Sequence, residues 1–226
     1  MNINDDFTQR AVVHASQIPW VPSPMPGVER RMLDRIGDEV ARATSIVRYA
    51  PGSAFSAHTH TGGEEYLVLD GVFQDEHGDF PTGSYVRNPP TSAHTPSAMA
   101  GATILVKLWQ FDLEDRTQVC IDTQSQVPSV VDGRTGVWEI PLFADAHERV
   151  RIEIWAANQS VEITDHKGLE ILVIEGGFSE GGEDFSVNSW LRLPVGHLLR
   201  AVAGPQGARL WIKSDHLAQT PHAPAR

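Results

Sequence analysis

His58 and His60 stand at i and i+2, a spacing that in a strand turns both imidazoles to one face, close enough to share an ion. Gly62-Gly63 then permits a tight turn, and Glu64 opens the next strand with its carboxylate returning beside the rings. His94 follows Pro89-Pro90 and Thr91-Ser92-Ala93 as a fourth donor, far enough along the chain to close the site from another strand. Three imidazoles and one carboxylate make a ligand set for one divalent ion, and such donors accept zinc, iron, manganese, nickel or copper. A six-coordinate ion would keep two positions for water, dioxygen or a bidentate small molecule such as a diketone or enediol. A tetrahedral zinc held by all four side chains would instead stabilise the fold or report the loss of a ligand. Glu64 is also the candidate general base of the first case, because a carboxylate in an apolar interior has a raised proton affinity.

Phe55, Tyr66, Met99 and Trp109 flank these donors and are the candidate substrate-binding residues. Strand alternation sends Glu65 to the face opposite Glu64, where exposure or a salt bridge is expected. Arg87 and Lys107 alternate with apolar neighbours and read as partners of the acidic surface. His14, His77, His147, His216 and His222 have no partner at ligand spacing and read as surface residues.

The elements that must position these groups are strands. From Arg42 onward, short β-branched and aromatic segments such as Thr44-Ser45-Ile46-Val47-Arg48-Tyr49 and Thr103-Ile104-Leu105-Val106-Lys107-Leu108-Trp109 are separated by Gly and Pro turns. Residues 28–43 suit either a short helix or a charged hairpin, and no longer window keeps a 3.6-residue apolar period. Pro19, Pro22, Pro24 and Pro26 make residues 1–27 an extended arm that packs on a barrel surface.

Residues 65–90 repeat at 170–195 with a fixed offset of 105 and ten of 26 positions identical, among them Glu65/Glu170, Gly71/Gly176, Phe73/Phe178, Arg87/Arg192 and Pro89/Pro194. Two copies at so long a period mean a duplicated domain rather than a solenoid. The polar stretch 112–136 is the linker, which gives an all-β chain with an arm and metal-binding barrel over 1–125 and a degenerate barrel over 126–226. With a one-residue deletion beside the Gly-Gly turn, the second copy offers Thr164, His166, Glu170 and Leu199 at the ligand positions, too few for a metal, and its pocket is left for another ligand.

Eighteen Lys and Arg against 29 Asp and Glu give a net charge of −11, which repels polyanions, so no nucleic-acid partner is expected. Cys120 is the only cysteine, which excludes an intrachain disulfide and a CxxC site. The acidic start is unlike a signal peptide, and the longest apolar run, 102–111, is broken by Lys107 and too short for a membrane span; a cytoplasmic protein is expected.

The pattern Gly52-x5-His58-x-His60-x3-Glu64-x6-Gly71 resembles the first cupin motif at every defined position. Gly83-x5-Pro89-x-Thr91-x2-His94-x3-Ala98 resembles the second more loosely, with Thr91 for the usual Gly and Ala98 for the usual Asn. Around them, Arg48-Tyr49-Ala50-Pro51-Gly52, His60-Thr61-Gly62-Gly63-Glu64-Glu65 and Val86-Arg87-Asn88-Pro89-Pro90 resemble the cupin-like domain of ChrR-type anti-sigma factors, most densely over residues 42–110. The resemblance implies two double-stranded β-helix (jelly-roll) barrels, with His58, His60, Glu64 and His94 holding a metal, zinc in ChrR-type proteins. It further implies a stress-linked sensing or regulatory role, with a small molecule or reactive oxidant at the metal and a sigma factor or other regulator as protein partner. Before residue 42 nothing resembles the helical anti-sigma domain, so a free-standing sensor, a homodimer, or a metalloenzyme resembling cupin dioxygenases of the diketone-cleaving type is implied as well.

Overall fold

The computed structural model describes residues 1–38 and 40–224. Among them the only helix is a single 3-10 turn, Ala15–Gln17, and the remaining regular structure is strand. No described helix is long and apolar enough to cross a membrane. Residues 28–43 take the hairpin alternative: Val28–Gly37 turns back antiparallel onto Ala41–Tyr49.

The chain separates into two compact units, one holding Met1–Asp5 and Pro19–Ser125, the other Asp6–Ile18 and Gln126–Pro221. In the first, the main sheet runs Val28–Gly37, Ala41–Tyr49, Ala102–Leu108, Glu64–Asp75, Ser84–Asn88, Val119–Asp122. In the second it runs Val137–Ala144, Arg149–Trp155, Leu199–Ser214, Leu169–Glu180, Ser189–Leu193, Ala11–His14. The two orders correspond strand for strand, so the sequence repeat is a repeat of an antiparallel jelly-roll barrel.

The last strand of the second sheet corrects the sequence reading, which placed all of residues 1–125 with the first barrel. Ala11–His14 pairs with Ser189–Leu193, setting Val12 opposite Leu191 and Val13 opposite Trp190, and so covers an edge that would otherwise carry unpaired backbone groups. Arg10 adds ion pairs to Glu180 and Glu183 at 2.7 and 2.9 Å, and Arg192 stacks on Phe7 at 3.9 Å. His14, expected at the surface, lies between the Ser189 hydroxyl at 2.9 Å and the Glu183 carboxylate at 3.0 Å. The corresponding edge of the first barrel, Ser84–Asn88, is covered by Val119–Asp122.

In the first barrel the interior is built by Val28, Val47, Tyr66, Val68, Phe73, Val86, Ile104 and Val106. Along Glu64–Asp75 the inward residues are at first even-numbered, Glu64, Tyr66 and Val68. The pairing with Ala102–Leu108 then slips by one residue between Thr103 and Ile104, and from there Phe73 and Asp75 face inward. Gly71 lies just past this bulge at φ 75°, and a Cβ there would stand 2.2 Å from the Gly101 carbonyl oxygen.

On the outer face of the same strands, Glu65, Arg87 and Lys107 are buried, which excludes the exposed alternative for Glu65. Glu65 accepts a hydrogen bond from the Tyr85 hydroxyl at 2.8 Å, and Lys107 donates to Thr44 Oγ1 at 2.9 Å. Arg87 pairs with Asp115 at 2.8 Å under the Phe111 ring at 4.2 Å, so the chain beyond Ala102–Leu108 folds back over that face. These groups are structural, and each has a polar partner on the same face.

Candidate metal centre

Strand His58–His60 pairs antiparallel with Ser92–His94, and the register sets His94 directly opposite His58. Period-two alternation keeps His60 on the same face, so three imidazoles from two short strands converge. Their ring centroids are 4.8, 4.8 and 5.0 Å apart at mutual angles of 70° to 75°. One nitrogen from each lies within 4.8 Å of the others. The turn that follows allows no side chain at Gly62, where a Cβ would stand 2.1 Å from the Trp109 ring, and sets Gly63 at φ 75°. Glu64 thereby returns to the cluster, with Oε2 3.4 Å from His60 Nε2 and 3.7 Å from His94 Nε2; the two Nε2 atoms are 3.0 Å apart.

These separations test whether a metal fits. Two donors each about 2.1 Å from a common ion are about 3.0 Å apart at a right angle and about 3.4 Å apart at the tetrahedral angle. The Nε2–Nε2 separation of 3.0 Å and the Glu64–His60 separation of 3.4 Å match those two angles, and the 3.7 Å between Glu64 and His94 opens the angle to about 124°. Two of the three outer ring nitrogens are held as metal-ligating histidines require. His94 Nδ1 lies 3.1 Å from Asp75 Oδ2 and His58 Nδ1 lies 3.2 Å from the Ser56 carbonyl oxygen. A carboxylate and a carbonyl oxygen can only accept from these rings, so the partners favour the Nδ1–H tautomer, which leaves an Nε2 lone pair for an ion. Asn88 Nδ2 donates to Glu64 Oε2 at 3.3 Å.

Burial, with His58 beside it, pushes His60 down to about 4, so its ring is neutral and able to ligate at neutral pH. Burial raises the Glu64 carboxyl, partly opposed by His94 and the Asn88 hydrogen bond. Asp75 and Asn88 were missed in the sequence. Asn88 shares the inward alternation of Val86 and could have been found from it, whereas Asp75 reaches the site only because the bulge changes the phase of its strand.

The cluster opens on a cavity of about 410 Å³, within the range of small-molecule sites. Tyr49, Phe55, Phe73 and Trp109 line it, with Arg30 and Arg35 on its walls. Of the four candidate substrate-binding residues, Phe55 and Trp109 are thus in place. Tyr66 and Met99 are not: Tyr66 is packed in the barrel interior against Phe73 at 5.1 Å, and Met99 is 66% exposed. The Tyr66 side chain points inward as alternation requires, but at the level of the packed core rather than of the cavity.

In the second barrel, Ile163 pairs with Leu199 as His58 pairs with His94, and Leu169 pairs with Leu193 as Glu64 pairs with Asn88. The repeat therefore runs through the turn without the expected deletion. Ile163, Leu169 and Leu199 occupy three of the ligand positions and join the apolar core. Glu170 corresponds to Glu65, not Glu64; it accepts from Trp190 Nε1 at 2.8 Å and faces His216 Nε2 at 3.2 Å, which puts His216 in the interior rather than at the surface.

Residues 8–112 match the family model of the ChrR Cupin-like domain. No curated protein matches the chain significantly in sequence. Among solved structures, a candidate dioxygenase of Nostoc punctiforme superposes at TM-score 0.73 with 14% identity over 100% of this chain and 86% of that one. YlbA of Escherichia coli superposes at 0.69 with 14% identity over 93% of each chain, and the pirin YhhW of Escherichia coli in complex with nickel(II) at 0.62 with 13% identity over 96% of this chain and all of that one. The fold is that of two-barrel cupins.

Proposed function

On the premise of a ChrR cupin-like domain at residues 8–112 within a two-barrel cupin fold, we propose that the protein holds one divalent metal ion on His58, His60, His94 and Glu64. With an ion bound, the site would serve a metal-dependent oxidoreductase reaction on a small organic molecule. The observation that carries this reading is the cavity: His58, His60, Glu64 and His94 line about 410 Å³ of mostly apolar space. The ion, when bound, would supply Lewis acidity toward an enolic or carbonyl oxygen.

The chain's own residues do the rest. Asp75 holds the His94 ring with its Nε2 toward the site, and Asn88 orients Glu64. Tyr49, Phe55, Phe73 and Trp109 exclude water around the substrate body and limit its size. Glu64, on leaving the ion, is the proton acceptor beside the substrate, in keeping with its burial. Glu64→Gln is expected to retain metal and lose turnover.

A second reading, a regulatory metal site that responds to an oxidant and alters affinity for a protein partner, is supported by the ChrR cupin-like match. Cobalt(II)-loaded protein titrated with azide separates the two. A shifted visible spectrum requires an open coordination position, as the enzyme reading expects. An unchanged spectrum, with no dioxygen uptake on diketone or enediol substrates, would move the assignment to the regulatory reading.

A further inference from the structure

The walls of the cavity carry a charge pattern opposite to that of the chain. The protein has a net charge of −11, yet the lining includes two guanidinium groups, and Glu64 is its only described carboxylate. Arg35 is occupied, its Nε donating to the Gly37 carbonyl at 3.2 Å and its Nη2 to the Asp38 carbonyl. Arg30 is different. It lies on Val28–Gly37 directly opposite Val47 and alternates with Val28, both of which belong to the barrel interior, so its partly buried side chain points inward. Its Nε is buried and meets no acceptor among the described residues, and no described carboxylate pairs with it. A buried donor of this kind is costly unless something arrives to satisfy it.

We propose that Arg30 is the anion-recognition residue of the cavity and that the substrate is a small organic carboxylate with an aromatic or branched apolar body. Its carboxylate takes the Arg30 guanidinium, a planar fork of donors that matches two carboxylate oxygens. Its body packs among Tyr49, Phe55, Phe73 and Trp109, and its far end reaches the histidine cluster. The inference names the substrate class of the proposed metal site and rests on that reading for the far anchor only.

The test is calorimetric titration of purified protein, metal content measured for each sample, with benzoate, phenylacetate and 2-naphthoate, each against its carboxamide. Wild type is expected to prefer at least one carboxylate over its amide by about tenfold or more, as a charge-assisted pair provides. Arg30→Gln should abolish the preference without changing metal content, and Arg30→Lys should keep part of it. Equal binding of acid and amide, a preference surviving in Arg30→Gln, or no binding of any carboxylate at millimolar concentration would overturn the proposal. A carboxylate preference in protein that carries no metal even after incubation with iron, nickel or zinc would instead defeat the metal reading and leave the anion site standing.

Discussion

Replacing Asp75 by Asn should weaken metal binding about tenfold while leaving the fold intact. In the structure Asp75 Oδ2 stands 3.1 Å from His94 Nδ1, and the two side chains are only 4% and 3% exposed, so little water is present to replace a lost partner. A hydrogen bond to a carboxylate is worth about 1.5–3 kcal/mol and a neutral one about 0.5–1.5, and the difference of about 1.4 kcal/mol is one decade in affinity. Asp75→Ala, which removes the acceptor and frees the ring to turn, should cost up to about a hundredfold, the upper end for such outer partners. The assay is competition for the ion against a chromogenic chelator, with nitrogen-resolved NMR of the metal-free protein reporting which His94 nitrogen carries the proton. Nδ1 should carry it in wild type and the population should mix in Asp75→Ala. An Asp75→Asn affinity within twofold of wild type, with the His94 tautomer unchanged in Asp75→Ala, would refute the argument that Asp75 positions this ligand.

Thr91 occupies the left-handed region at φ 76°, where a β-branched side chain is strained, so Thr91→Gly should raise stability by roughly 0.5–1 kcal/mol in urea unfolding; a loss would show that contacts of the threonine outweigh its backbone. Gly62→Ala would place a methyl 2.1 Å from the Trp109 ring and should cost about 1–3 kcal/mol and disturb the cavity, read as a lower melting temperature and changed tryptophan fluorescence; an unchanged melting curve would contradict the contact. In metal-free protein the unfolded chain protonates His60 near 6.5 but the folded chain only at about 4, so acidification through that window favours unfolding, by at most about 3 kcal/mol. Burial raises Glu64, which works in the opposite direction, so the comparison to make is wild type against His60→Gln: wild type should lose more stability between about pH 7 and pH 4.5, and equal losses would contradict the shift.

What the sequence disclosed follows strand periodicity. His58, His60, Glu64 and His94 were legible because an i, i+2 pair, a Gly-Gly turn and a returning strand are all local signals, and the repeat at 105 residues gave the second barrel. Asp75 was hidden by a bulge that changes which residues face inward, for which Gly71 was the only visible hint. Arg30 was hidden because residues 28–43 fitted helix and hairpin alike, and only the hairpin aims it into the barrel. The crossing of Ala11–His14 to a strand 175 residues away leaves no mark in local pattern. Glu170 was misassigned because a Glu stands one residue from where Glu64 repeats, and only pairing register separates Leu169 from it.

The most direct test of the central claim is elemental analysis of anaerobically purified protein, wild type beside His94→Ala, with both variants checked for the same β-rich circular dichroism. About one divalent ion per chain in wild type, lost in His94→Ala, is the predicted result. No ion in wild type after incubation with iron, nickel or zinc, or an ion retained in full without His94, would contradict a metal centre on these residues.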